Sequence, residues 1–328
     1  MGLIDTAAAL AGQAAGGIPP LRSELPEWVD PPAAVAEFGE NLMQVFLQKL
    51  YDGLYASCEK GFNGMFHALN SQVAAASADL TTAPAEWSST GFALVKNTAE
   101  TIFLPIGCCI LVFVFCWDLV QMMQDSNRMH SIRPEAILMK LLKLALCLLA
   151  CSKSFDIIMG FFEVGRWATG KLNAGVAGTF GEGLSLADVL PAAQQPLDFF
   201  IILQLCGYIL LIYMGWLAVL VCYGAIYVRV SLWFLELYMY STAAPVPFGT
   251  FCSREWGQMG MNYTRKMLAV CFEGFFMLLA FALYGALLNG LGGTGFTETM
   301  VLVICCGFGM VMLICRAGSI SASIFNAH

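Results

Sequence analysis

Long apolar runs broken by single charges organise most of the chain. Ile102–Met123 holds only Asp118, and Ala136–Phe162 holds Lys140, Lys143, Lys153 and Asp156. From Phe199 no charge occurs until Arg229, and Ser231–Phe251 contains only Glu236. Met267–Leu288 contains Glu273, and Met300–Cys315 contains no charge. As a helix, ~20 mostly apolar residues cross the ~30 Å hydrocarbon layer of a bilayer. The pattern predicts an all-α polytopic membrane protein. Residues 199–250 decide the count: one crossing there gives five transmembrane helices, two give six.

A different pattern precedes these runs. Pro19, Pro20, Pro26, Pro31 and Pro32 make residues 18–33 a stiff, non-helical connector. From about Ala33 to Asn70, Phe38, Leu42, Val45, Phe46, Leu50 and Leu54 recur at helical spacing, with Lys49 among them. Glu37, Glu40, Gln44, Gln48 and Asp52 largely fill the other positions, so this reads as an amphipathic helix lying on a membrane or a partner, with an ordinary helix packed on its own domain as the alternative. Residues 71–90, rich in Ala, Ser and Thr, read as a linker. Met1–Gly17 lacks a basic start and is interrupted by Asp5, unlike a cleavable signal peptide. The expected division is an acidic N-terminal region at 1–100, a transmembrane domain at 101–316 and a short tail at 317–328.

Composition agrees with the pattern. The chain is 59% hydrophobic and 12% charged, against about 45–50% and 25% for soluble domains. Soluble enzymes and disordered chains are both excluded. Residues 1–100 hold 4 basic and 11 acidic side chains, a net of −7, while the remainder holds 12 of each. An acidic leading region is the wrong sign for a nucleic-acid-binding tail. Orientation follows from Lys and Arg, which collect in cytoplasmic loops. With the N-terminus outside, five crossings put eight of them inside and three outside near the spans; six crossings give five against seven. The expectation is N-terminus outside, C-terminus inside.

Little in the chain suggests catalysis. The three histidines, His67, His130 and His328, are scattered, and no GxxxxGK[ST], HExxH or GxSxG occurs. Of 13 cysteines, eleven lie in apolar segments, only Cys58 and Cys252 lie in polar ones, and no CxxC occurs. They read as small hydrophobes rather than zinc ligands, so no cofactor or metal is expected.

Charges at membrane depth are costly and are the better functional candidates. Lys153 and Asp156, three apart, share a helix face and can pair. Asp118, Glu236 and Glu273 have no local partner, and Arg229 lies two turns before Glu236 on a similar face. These six suggest a polar conduit lining or buried ion pairs, unless several lie at headgroup level. In the five-crossing arrangement residues 231–250 cannot cross. Pro245 and Pro247 free carbonyls that need protein or water, which suggests a re-entrant arm or an interfacial elbow. Gly207, Gly215 and Gly224 on the long third run, and Gly307 and Gly309 on the last, allow close helix approach.

The order of features at 199–290 resembles the TrbL-type polytopic inner-membrane proteins of conjugative type IV secretion systems. A long uncharged helix ends at Tyr227-Val228-Arg229, and an apolar arm ends in Ala243-Ala244-Pro245-Val246-Pro247-Phe248. The charged turn Ser253-Arg254-Glu255-Trp256 then leads to a further run opening near Arg265-Lys266. The resemblance covers most of 100–316. Only 12 residues follow Arg316, whereas many relatives carry long polar tails. The resemblance implies a non-catalytic platform or channel subunit in the bacterial cytoplasmic membrane, without cofactors. It implies homo-oligomers working with other secretion-system membrane subunits and a separate cytoplasmic ATPase. It also implies transient contact with single-stranded DNA, its attached relaxase or effector proteins. A secondary transporter and a small-molecule channel remain as alternatives. The first would show paired broken helices, but Pro105 opens a run and does not match Pro245; the second would show a filter sequence.

Overall fold

The computed structural model describes residues 31–126, 134–176, 186–190, 199–253, 255–289 and 295–327. Met1–Gly17, most of the Pro-rich connector, His130, His328 and Arg254 lie outside them. Among the described residues all regular structure is helical. Four helical stretches are long and apolar enough to cross a membrane, and a bent pair makes a fifth if it counts as one span. The chain is an all-α, multi-pass membrane protein.

Helix α1 is Pro31–Thr81. Pro31 and Pro32 open it, because a helix's first turn needs no N–H from them; the connector ends there. The helix also runs through the expected linker, since its Ala-rich sequence is helix-forming once a neighbour covers one face. Helices α2 (Pro84–Trp87) and α3 (Ser89–Thr98) follow, the second capped by Ser88, whose Oγ accepts from Gly91 N at 3.2 Å. A π-turn at Ala99–Phe103 joins α3 to α4 (Leu104–Ser126).

Helices α5 (Pro134–Ser152) and α6 (Ser154–Val176) meet at Lys153 with a 67° bend. No Pro or Gly lies there; Ser152 Oγ donates to Leu149 O at 3.0 Å and Lys153 forms the turn between the two helices. The short α7 (Leu186–Val189) precedes α8 (Phe199–Ala243), a 45-residue helix. Pro245 cannot donate to Ser241 O, so the ladder stops, and α9 (Pro245–Gly249) and a 3-10 turn at Thr250–Cys252 continue the chain. Helices α10 (Gly257–Asn289) and α11 (Phe296–Ile324) complete the fold.

Residue pairs fix the register along α8. Helix α1 runs parallel to it: Gly61 lies against Ile212, Gly64 against Trp216, and Trp216 Nε1 donates to Gly61 O at 3.0 Å. Beyond the end of α1, Trp87 stacks on Phe234 at 4.6 Å. Helix α11 is also parallel, with Phe296 beside Tyr208, Met300 near Gly215 and Gly318 near Arg229. Helix α10 returns antiparallel, Trp233 Nε1 donating to Val270 O at 2.8 Å. The core lies between them, where Phe62, Phe162, Trp233, Phe234 and Phe281 are fully buried.

Helices α4 and α5 sit at the other end of the rod. Gly107 abuts Pro245, and Cys151 Sγ donates to Pro245 O at 3.3 Å. The stretch Phe199–Cys252 is 54 residues, about 80 Å at ~1.5 Å per residue. That is more than twice the ~30 Å hydrocarbon core. The apolar helices share that length: α11 lies along 208–229, α10 along 229–247 and the α4–α5 hairpin by 245–252. The expected separate arm at 231–250 is corrected in part: residues 231–243 extend the long helix, and 245–252 continue the same stretch after the break at Pro245.

Candidate functional site

Partners for two of the lone carboxylates lie on other helices. Arg229 of α8 pairs with Glu273 of α10, whose side chain is 3% exposed. Gly318 of α11 covers them: a Cβ there would lie 2.9 Å from Glu273 Oε1 and 3.1 Å from Arg229. Three helices are thus fastened at one charged point, and the expected proximity of Arg229 and Glu236 yields no pair. Glu236 is half-buried, without an ion pair among the described residues, and acts on Lys266, whose Nζ lies 5.0 Å from the Tyr240 ring centre.

Asp118 on α4 accepts from Lys140 Nζ of α5 at 3.1 Å, and Lys140 also reaches Asp118 O at 2.8 Å. Ser253 Oγ approaches the other carboxylate oxygen at 3.4 Å. Lys153 and Asp156 do pair, at 3.3 Å, but at the α5–α6 bend and with side chains 65% and 59% exposed. Where water reaches it, an exposed pair of this kind contributes at most ~1 kcal/mol.

The three candidate glycines separate. A Cβ on Gly215 would lie 2.8 Å from Met65 Sδ and 3.0 Å from Met300 Cε, so α8 is gripped there by α1 and α11 of its own chain. Gly207 and Gly224 face open space. Gly215→Leu is therefore expected to lower the chain's own thermal unfolding midpoint, and Gly207→Leu to leave it unchanged, in detergent melts followed by circular dichroism. Gly107, Gly165, Gly249 and Gly260, which touch neighbouring backbone carbonyls, escaped the sequence reading. A lone glycine in an apolar run gives no sign of what it faces.

The sharpest contrast between two sides of the protein is on α1. Its face toward α8 carries Cys58, Phe62, Met65, Leu69 and Val73, all buried. Its opposite face exposes Glu59, Lys60, Asn63, His67 and Ser71 at helical spacing. By the register above, this polar face runs beside residues 206–223 of α8, which contain no charge. Helix α8 exposes Leu203, Leu210, Met214, Leu217 and Val221 on its side away from α1. One height of the protein is thus polar on one side and apolar on the other. The spacing of Asn63, His67 and Ser71 was available in the sequence; the height at which α1 sits was not. The leading turns of α1 expose Phe38, Leu42, Val45, Phe46 and Leu50, while Leu47 and Tyr51 turn inward.

Among the described residues no three His, Cys, Asp or Glu side chains gather as a metal site. Ion pairs that pin helices together, on elements too apolar for water, define a polytopic membrane scaffold. Residues 69–245 match the TrbL/VirB6 plasmid conjugal transfer-like family, and the chain belongs to that family. It is a component of conjugal transfer, a type IV secretion process, and other components of that apparatus are its expected company. No curated protein and no solved structure matches it.

Proposed function

We propose that several copies of this chain surround an aqueous path through the bacterial cytoplasmic membrane, as a platform or channel subunit of the transfer apparatus. The observation that carries this is the pairing of a polar α1 face with an apolar α8 face at one height. Polar side chains at bilayer depth avoid lipid and turn to protein or water. One chain offers a single such stripe, too little to enclose a passage for a macromolecule. Copies around an axis place the α1 stripes inward and Leu210, Leu217 and Val221 toward lipid. Glu59 and Lys60 cancel in charge, which suits passage of single-stranded DNA with its relaxase, or of effector proteins, without retention on a basic surface. Energy comes from a separate cytoplasmic ATPase, and the chain itself does no catalysis. The loop charges favour the N-terminus outside and the C-terminus inside.

Cysteine crosslinking tests the assembly. With the exposed native cysteines replaced by Ser, Asn63→Cys and a short bifunctional thiol reagent, applied to membranes containing the co-expressed apparatus, are expected to give a crosslinked dimer, the most that one thiol per chain can yield. Leu210→Cys is expected to give none. A chain that stays monomeric in both refutes the reading and favours the secondary-transporter alternative.

A further inference from the structure

Between α4 and α5 lies a crevice of about 680 Å³ that the transport reading does not use. Phe115 and Met122 form one wall, and Leu142 and Leu146 the other. At its polar end stand Asp118, Lys140 and Lys143. Asp118 and Lys140 neutralise one another at 3.1 Å. Lys143 is exposed, one helical turn from Lys140, and has no carboxylate partner among the described residues. Gln121, also in the lining, donates to Glu255 just outside it at 2.9 Å; among the lining side chains themselves one positive charge is in surplus, beside a long apolar trough. Fourteen large apolar side chains of α4 and α5 are exposed, Val112, Phe113, Leu138, Leu142 and Leu149 among them, a surface that suits lipid acyl chains.

We infer that this crevice holds one anionic phospholipid. Its phosphate accepts hydrogen bonds from the Lys143 ammonium, a compact charge with three donors. Its acyl chain lies along Leu142 and Leu146, with Phe115 opposite. Two features argue for a lipid rather than a free anion. The trough is apolar over most of its length, and a lone lysine without an acyl anchor holds phosphate weakly. The unpaired Lys143 ammonium in the lining favours an anionic headgroup over a zwitterionic one, and basic pockets between membrane helices take such headgroups. The bound lipid bridges α4 and α5 next to the Asp118–Lys140 pair, and so holds the hairpin closed.

The test uses the full chain, purified in mild detergent and stripped of lipid, in four arms. Phosphatidylglycerol, phosphatidylcholine and inorganic phosphate are each added, and bound lipid is counted by native mass spectrometry alongside the thermal midpoint. The fourth arm repeats the first with Lys143→Gln and Lys143→Arg. Phosphatidylglycerol is expected to bind with about fivefold preference over phosphatidylcholine, the factor one lysine near an anionic surface supplies. It should also raise the midpoint, while phosphate alone should do nothing. Lys143→Gln is expected to erase the preference and Lys143→Arg to keep it. Because Lys143 is exposed, both variants should fold, and the unliganded midpoint checks that they do. Equal binding of both lipids, a preference that survives Lys143→Gln, or a midpoint shift from phosphate alone would each overturn the proposal.

Discussion

Replacing Glu273 by Leu while Arg229 remains is expected to cost about 3–5 kcal/mol, because it leaves a guanidinium buried without its counter-charge. Glu273 is 3% exposed and Arg229 17%, and Gly318 of α11 packs directly against the pair. The reverse variant, Arg229→Met, strands the carboxylate and should be as harmful. The double variant Arg229→Met with Glu273→Leu is expected to recover most of the loss, since apolar side chains of similar volume substitute well for a buried pair. Thermal unfolding in mild detergent and the yield of full-length chain read both effects. A double variant as unstable as either single one would show that the pair does not fasten α8 to α10. The same cycle on Lys153 and Asp156 is expected to show no more than ~1 kcal/mol, as the pair is exposed at the bend.

Gly165→Ala is expected to be nearly as damaging although it adds a single methyl group. The new Cβ would overlap the carbonyl of Cys271, a main-chain atom of α10 that cannot rotate aside. Helices α6 and α10 must then separate, and overpacking of this kind typically costs 1–3 kcal/mol. Gly160 lies on the same helix and faces nothing within 4 Å. Gly160→Ala is therefore expected to be neutral or to stabilise by up to about 1 kcal/mol through helix propensity. Comparing the two midpoints separates helix propensity from packing. Equal behaviour would contradict the close α6–α10 contact.

The apolar runs were legible because a bilayer demands length and low charge, and both can be counted. Met267–Leu288 and Met300–Cys315 fall inside α10 and α11 for that reason. The charges were legible as candidates but not as pairs. Lys153 and Asp156 are local in sequence and do pair, whereas Glu273 lies 44 residues from Arg229 and Asp118 lies 22 from Lys140. Only packing sets such partners. Residues 71–81 looked like a linker because their small Ala, Ser and Thr side chains draw no clear apolar stripe, although Ala itself favours a helix. Burial of Val73, Ala76 and Leu80 makes them helical. The role of α1 was the least legible feature: its sequence gives an amphipathic helix but not the neighbour it lies beside.

That position carries the central claim, and thiol accessibility tests it directly. Maleimides react with thiolates and so require water at the site. Asn63→Cys, His67→Cys and Leu210→Cys variants, together with native Cys305, which is exposed on α11, are treated with a hydrophilic maleimide in intact membranes holding the whole apparatus. Peptide mass spectrometry then reads each site. The account predicts rapid labelling at 63 and 67 and protection at 210 and 305, although all four positions are on the surface of the single chain. Labelling at all four would place this height in bulk water, and protection at 63 and 67 would remove the aqueous path.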